Sequence, residues 1–228
     1  RDGRLANLAA GELEELLAFL EEAAPAGVAI NAPRRPNRGL VRRRMEKERQ
    51  TSSPLRGADL RQAEYELRGR GISVSPTPSR PELCAAWQQM GFDLYRRLEG
   101  LGFVPYPGEK TSRFYLETHP HAVYCALLGQ LPLPKPTLEG RLQRQLILSE
   151  RGMGITDPMD FFEEITRHKL LHGQLPMEFV YIPEELDALA AACVAWAAVD
   201  APDELTLVGD GEEGQIVLPV REVQESYS

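Results

Sequence analysis

The sequence has little of what disulfide-bonded, zinc-binding or membrane-spanning proteins require. Its 228 residues include three cysteines, Cys84, Cys125 and Cys193, which are far apart and show no metal or redox spacing. The longest apolar run, residues 188–199, is too short to cross a bilayer. The first residues do not form a basic-then-apolar leader for export. We therefore expect a protein of the reducing cytoplasm that has no membrane partner.

Several signatures of well-known enzyme classes are also missing. The sequence contains no phosphate-binding P-loop and no Gly-Xaa-Ser-Xaa-Gly nucleophile elbow, which argues against the enzymes that use them. What is present is ordinary for a globular protein, with 43% hydrophobic and 26% charged residues. The chain is long enough to bury a substantial core, and we expect one domain over residues 1–228.

The net charge of −8 conceals a basic segment. Residues 34–70 contain twelve basic and five acidic side chains, a local balance of +7. Such a cluster can neutralise phosphates, and each contact adds affinity by releasing counterions. Few aromatic residues lie between these arginines, so base stacking is not indicated. The alternative is a solvated loop whose charge only keeps it in solution, so a nucleic-acid partner is one of two interpretations.

A short strand that ends in a carboxylate is the most informative pattern in the sequence. Residues 114–116 are aromatic or aliphatic, Glu117 follows them, and Pro120 cannot continue a sheet ladder. Helical spacing then begins and closes at Gly129. The apolar run 27–30 ends in the same way at Asn31. Because open α/β sheets place ligands at the tips of their strands, Asn31 and Glu117 are candidate site residues.

The remaining pattern predicts helices around these strands. Apolar spacing and punctuation by Pro and Gly predict helices over residues 11–24, 40–49, 60–68, 80–101, 138–150, 158–171 and from Pro183 onward. Two further strands, 204–208 and 215–220, are predicted to form a hairpin because an Asp210-Gly211 step lies between them. Helices alternating with strands in this way indicate the α/β class.

Three polar residues are candidates for chemistry at the strand tips. They are Asn31, Glu117 and Asp187, the last of which lies between the polar and buried faces of its helix. Carboxylates held side by side require a cation or protons, and oxygen ligands suit Mg²⁺ or Mn²⁺, which can activate water for phosphoryl displacement. The alternative is that Glu117 is a surface group at a strand end and Asp187 an ordinary acid of a first helical turn.

Several stretches of the chain resemble the domain of unknown function 429 family, which is described as predicted nucleases of ribonuclease H-like fold. The stretches occur in the family's order and cover most of the chain: residues 28–33, the arginine-rich loop, 116–120, 183–192 and 208–219. By this resemblance, the family's acidic positions correspond to Asn31, Glu117 and Asp187.

The resemblance implies a ribonuclease H-like mixed sheet flanked by helices, with a loop-rich helical insertion over residues 34–110 and a C-terminal β-hairpin. It implies a Mg²⁺- or Mn²⁺-dependent nuclease in which Glu117 and Asp187 bind the metal and Asn31 is a weak ligand or a positioning residue. From the charge pattern, we expect the substrate's phosphates to meet the remaining site residues, Arg42, Arg43, Arg44, Lys110 and Arg113.

Two departures from the family pattern leave a second interpretation open. The family usually has aspartate where this chain has Asn31, and an amide is a weaker, uncharged metal ligand. The family also begins with a strand bearing a Gly-Ile-Asp-like motif, which nothing here matches, so we expect either that the first strand is absent from this sequence or that this copy is degraded. The alternative function is therefore a non-catalytic module of the same fold that binds nucleic acid or a protein partner.

Overall fold

A mixed sheet of five strands forms the centre of the protein. The computed structural model describes residues 3–48, 56–108 and 112–228. Its strands are β1 (Ala26–Ile30), β2 (Val104–Pro105), β3 (Arg113–Glu117), β4 (Thr206–Asp210) and β5 (Gly214–Leu218). Their order is β1-β3-β5-β4, and the short β2 also pairs with β3. The β4–β5 pair is antiparallel, which confirms the predicted C-terminal hairpin.

The strands that end at Asn31 and Glu117 are parallel neighbours. Strand β1 runs parallel to β3, with Ile30 opposite Glu117, so both strands end at the same edge of the sheet. Gly27 lies opposite Phe114, and a Cβ atom on Gly27 would be 2.4 Å from the Phe114 ring. Glycine at this position therefore lets the aromatic ring lie across the neighbouring strand.

Helices cover both faces of the sheet. Within the described ranges they are α1 (Leu13–Glu22), α2 (Leu40–Glu48), α3 (Gln62–Gly69), α4 (Ala86–Gly100), α5 (Pro120–Leu128), α6 (Leu138–Glu150), α7 (Met159–Glu164), α8 (Arg167–Leu171) and α9 (Pro183–Asp200). None of these helices is both long enough and apolar enough to cross a membrane.

The two faces bury separate clusters of side chains. Tyr115 packs with residues of α1 and α4 on one face, whereas Leu116 packs with residues of α3, α5, α6 and α9 on the other. Successive side chains of a strand point to opposite faces, so the neighbours Tyr115 and Leu116 belong to different clusters. The next residue, Glu117, is also buried, at the tip of β3.

The helix predicted over residues 80–101 is shorter and buries a different face. A 3₁₀ turn occupies Pro81–Leu83, and α4 begins only at Ala86. Helical spacing predicts a buried stripe of Leu83, Trp87, Met90, Leu94 and Leu98, but its first three members are exposed, at 68%, 47% and 59%. Of the predicted residues only Leu98 is fully buried, and it shares the buried face with Gln88, Gly91 and Tyr95. The turn after β1 selects this face, because the Tyr95 hydroxyl donates to the Ala32 carbonyl at 3.0 Å.

The helix predicted over residues 158–171 is divided in two. Helix α7 ends at Glu164, and α8 begins at Arg167. Thr166 between them has an extended backbone, and its hydroxyl accepts a hydrogen bond from the Lys169 backbone N–H. Threonine is a favoured N-cap residue, so it starts a new helix here rather than continuing the old one.

Candidate functional site

Two polar cavities open at the edge of the sheet where β1 and β3 end. The first, here called the Glu117 cavity, has a volume of about 210 Å³ and is lined by Glu117 and Arg61 among others. The second, here called the Arg144 cavity, has a volume of about 280 Å³. Asn31 and His119 line both cavities, so the two adjoin at the strand tips. The strand-tip location expected from the sequence is therefore where these cavities lie.

A buried arginine forms an ion pair with the carboxylate of Glu117. Arg61 Nη2 donates to Glu117 Oε1 at 2.5 Å, and Arg61 Nη1 donates to Oε2 at 3.1 Å. The Arg34 backbone N–H also donates to Oε2, at 2.8 Å. The side chains of Arg61 and Glu117 are each only 3% exposed. Both oxygens of Glu117 are thus used in charge-assisted hydrogen bonds within the protein.

The same arginine is held by a second carboxylate, from its own helix. Arg61 Nε donates to Glu64 Oε1 at 2.8 Å, and the Thr77 hydroxyl donates to the same oxygen at 2.5 Å. Burial lowers the pKa of Arg61, but the carboxylates of Glu117 and Glu64 more than reverse this, so the pKa is raised overall. The guanidinium therefore stays charged and joins α3 to the tip of β3.

A third buried carboxylate anchors the basic segment to this network. Glu213 is fully buried in the turn between β4 and β5. Its Oε1 accepts from the backbone N–H groups of Arg38 and Leu40, and its Oε2 accepts from that of Gln62. These donors lie at the beginnings of α2 and α3, where backbone N–H groups lack helical partners. Glu213 thereby fixes both helices of the basic segment beside the strand tips.

His119 stands between the cavities in a defined protonation state. Its Nδ1 accepts a hydrogen bond from the Ala122 backbone N–H at 3.2 Å, so it caps the beginning of α5. Burial lowers the pKa of His119 to about 4, and the neighbouring His121 adds to this effect. The imidazole is therefore neutral near pH 7, and because Nδ1 is an acceptor, the proton lies on Nε2.

Asp187 lies on the wall of the Arg144 cavity and is paired. Lys135 Nζ donates to Asp187 Oδ2 at 2.6 Å, with the two side chains 40% and 25% exposed. Burial, followed by the nearby charge of Arg144, lowers the pKa of His121, which lines the same cavity. Glu117 and Asp187 thus lie at one edge of the sheet, but in separate cavities and with separate cationic partners.

The residues present do not fit a Mg²⁺ or Mn²⁺ site. Such ions require several oxygen ligands, mostly carboxylates and waters. Here Arg61 and a backbone N–H are bonded to the two oxygens of Glu117, and Lys135 Nζ is bonded to Oδ2 of Asp187. In the part of the chain that the structure describes, no group of three or more His, Cys, Asp or Glu residues could hold a metal ion. The assignment of Glu117 and Asp187 as metal ligands remains a prediction without geometric support.

The residues predicted to meet phosphates have different surroundings. Arg42, Arg43 and Arg44 are exposed on α2, although Arg42 pairs with Asp59 and Arg44 stacks over a tyrosine ring. Lys110 lies outside the described residues.

Arg113, also predicted to meet phosphate, lies away from the strand tips. It lies at the beginning of β3, opposite the tip that carries Glu117, and donates to the carbonyls of Leu20, Glu21, Ala23 and Leu101. Its guanidinium thus ties the ends of α1 and α4 to the sheet, and its contact with phosphate remains a prediction.

Sequence reasoning did not identify Arg61, Glu64, Glu213 or Arg144 as parts of this site. Arg61 and Glu64 did carry a local signal, because opposite charges three residues apart in a helix face each other. Glu213 carried none, since Asp-Gly turns commonly contain acidic residues whose side chains face water. Arg144 is hidden in an amphipathic helix, where an arginine normally belongs to the wet face.

The fold and these cavities define an α/β protein with a polar site at the tips of its parallel strands. The chain belongs to the family described as protein of unknown function (DUF429), whose model matches residues 2–213. The resemblance noted in the sequence is therefore confirmed at the level of the family. No curated protein and no solved structure matches the chain.

Proposed function

We propose that this chain is a nucleic-acid-binding module of ribonuclease H-like fold that does not cleave the strand it binds. The observation that carries the proposal is the buried ion pair between Arg61 and Glu117, in which one guanidinium engages both oxygens of the carboxylate. A catalytic metal would have to displace a buried, charged arginine from its partner. Breaking such a pair is strongly unfavourable because it leaves uncompensated charge in the interior.

The basic surface beside the strand tips supports nucleic acid as the partner. Helix α2 presents the exposed side chains of Arg42, Arg43, Arg44 and Lys47. Glu213 holds the beginning of this helix, and the basic segment contacts Glu117 through the Arg34 backbone. A chain with net charge −8 repels polyanions in general, so a local positive surface is what a nucleic acid requires.

A second candidate is a nuclease dependent on Mg²⁺ or Mn²⁺. The observation that favours it is the gathering of Asn31, Glu117 and Asp187 around two adjoining cavities at one edge of the sheet. This function requires Glu117 to exchange Arg61 for a metal.

Binding and cleavage are tested together on the full chain. Fluorescence anisotropy measures binding of labelled single- and double-stranded DNA and RNA, and gel analysis follows the same substrates with Mg²⁺ or Mn²⁺. We expect binding without cleavage. Metal-dependent cleavage that disappears in Glu117→Gln would overturn the proposal and establish the second candidate. Cleavage that persists in Glu117→Gln identifies a contaminating nuclease, and the assay is then repeated on material purified free of it.

The role of α2 is tested through the salt dependence of binding. The α2 triple variant, with Arg42, Arg43 and Arg44 replaced by Ala, should flatten the log–log salt slope by up to about three, nearly one per lost phosphate contact. A matched triple variant removes the exposed arginines 151, 167 and 221, which lie outside the basic segment. It should leave the slope almost unchanged. Equal effects of the two triples would show that only total charge matters and would refute a specific interface at α2.

A further inference from the structure

The Arg144 cavity contains a buried guanidinium whose direct contacts are with neutral groups. Arg144 is only 3% exposed, yet it forms no ion pair with any residue that the structure describes. Its Nη1 donates to the carbonyls of Leu133 and Gly140, at 2.8 and 2.7 Å. The guanidinium also stacks over the ring of Tyr124. Carbonyl dipoles and a ring face stabilise a cation, but a buried charge ordinarily requires an opposite charge.

Part of this guanidinium faces the cavity. Nε and Nη2 of Arg144 form no hydrogen bond within the described ranges. They nevertheless remain accessible to solvent, because the unpaired side-chain atoms that are closed off there belong to other residues. Because Arg144 is buried except where it lines the Arg144 cavity, we take these unpaired N–H groups to face that cavity. They provide two donors on one plane, the arrangement with which arginine binds carboxylate and phosphate oxygens.

The charges around the cavity specify how much negative charge it accepts. Lys135 and Arg144 contribute two positive charges, and Asp187 contributes one negative charge. His119 and His121, whose pKa values are lowered mainly by burial, are neutral near pH 7. The net charge is therefore +1, which one singly charged oxyanion balances. A volume of about 280 Å³ is below the roughly 300 Å³ at which pockets for drug-sized ligands begin, so the bound group is small.

We propose that the Arg144 cavity binds one phosphodiester group of a nucleic-acid strand, held by the free N–H groups of Arg144 and by the ammonium of Lys135. The strand identity rests on the proposed function, because a phosphodiester carries one negative charge and is the repeating unit of that partner. Asn31 and the Nε2–H of His119 provide neutral donors on the wall shared with the Glu117 cavity. In this arrangement Asp187 opposes binding in two ways: its charge repels the phosphate, and it forms an ion pair with Lys135.

The test uses the full chain, with dimethyl phosphate as the probe for the phosphodiester group. Thermal unfolding is followed as dimethyl phosphate, acetate or chloride is added at equal ionic strength. We expect dimethyl phosphate to raise Tm more than chloride or acetate does, and Arg144→Gln to abolish the difference. An acetate effect as large as that of dimethyl phosphate would overturn the phosphodiester assignment in favour of a general carboxylate site. No excess over chloride would overturn the site altogether.

The second measurement is oligonucleotide affinity by fluorescence anisotropy. Arg144→Gln and Lys135→Gln should each weaken binding by about tenfold or more, the effect of one lost charge-assisted hydrogen bond. Arg151→Gln, an exposed arginine at the end of the same helix, is the matched control and should change affinity less than about twofold. Asp187→Asn should tighten oligonucleotide binding because it removes a negative charge from the cavity. If Asp187 were instead a metal ligand needed for binding, the same change would not tighten it.

These outcomes separate the cavity from the proposed function. If the native chain binds no oligonucleotide, the proposed function fails, and the dimethyl phosphate titration still decides whether the cavity binds phosphodiesters. If the oligonucleotide binds but a folded Arg144→Gln variant binds it equally well, the cavity proposal is overturned and the α2 interface stands. Lys135→Gln guards against misfolding, because Lys135 is 40% exposed and its loss disturbs no buried packing.

Discussion

The buried pair of Arg61 and Glu117 should be among the largest electrostatic contributions to the stability of this fold. Arg61 is 3% exposed and satisfies two carboxylates, so replacing it by methionine removes the charge while keeping most of the volume. Glu117 would keep only the Arg34 backbone N–H, and Glu64 would lose its ion pair. We expect the free energy of unfolding to fall by about 3–5 kcal/mol, the usual cost of leaving buried charge unpaired.

A double-mutant cycle measures this coupling. Glu117→Gln alone should cost less, about 1.5–3 kcal/mol, because Arg61 keeps its bond to Glu64. In the double variant neither Arg61 nor Glu117 is left as an unpaired charge, although Glu64 still lacks its ion pair. Its cost should therefore fall short of the sum of the single costs by at least about 1 kcal/mol. Urea unfolding followed by circular dichroism provides the four free energies.

A surface ion pair in the same basic segment is the matched control. Arg42 pairs with Asp59, but these side chains are 54% and 86% exposed. Arg42→Met should therefore cost less than about 1 kcal/mol. The reasoning is refuted if Arg61→Met costs no more than Arg42→Met, or if the Arg61 and Glu117 changes are additive within about 0.5 kcal/mol.

Three further predictions concern His119, Gly214 and Arg113. The pKa of His119 is about 4 in the folded protein and about 6.5 ordinarily, so between these pH values the unfolded chain binds a proton that the folded chain does not. The free energy of unfolding should therefore fall by about 3 kcal/mol as pH drops from 6.5 to 4. His119→Asn keeps a capping side chain and should reduce that fall; an unchanged pH profile argues against the shift. Gly214 has φ +100°, and a Cβ there would lie 2.8 Å from Glu117 Oε2, so Gly214→Ala should cost at least about 1 kcal/mol in urea unfolding. Gly211→Ala, which meets open space, should cost clearly less. Arg113→Met should lower Tm without changing oligonucleotide affinity, and an affinity loss in the folded variant would support its predicted phosphate contact instead.

Sequence patterns predicted much of the framework because its signals are local. A proline after an apolar run ends a strand wherever the strand lies, so the ends of β1 and β3 could be placed next to Asn31 and Glu117. The bounds of α6, residues 138–150, are those predicted from apolar spacing and a closing glycine. Since parallel strands end at one edge, the gathering of tip residues followed without knowledge of the packing.

The partners of those tip residues could not be predicted, because they depend on how distant segments pack. Arg61 and Glu117 are 56 residues apart in sequence, and only the placement of α3 against the sheet brings them together. The buried face of α4 was mistaken because the turn after β1, through Ala32, selects Tyr95 rather than Trp87. The sequence by itself determined the ends of β1 and β3 and the bounds of α6, where the signals are local. The tertiary structure alone decided which charges are neutralised, because neutralisation depends on distance and burial rather than on residue type.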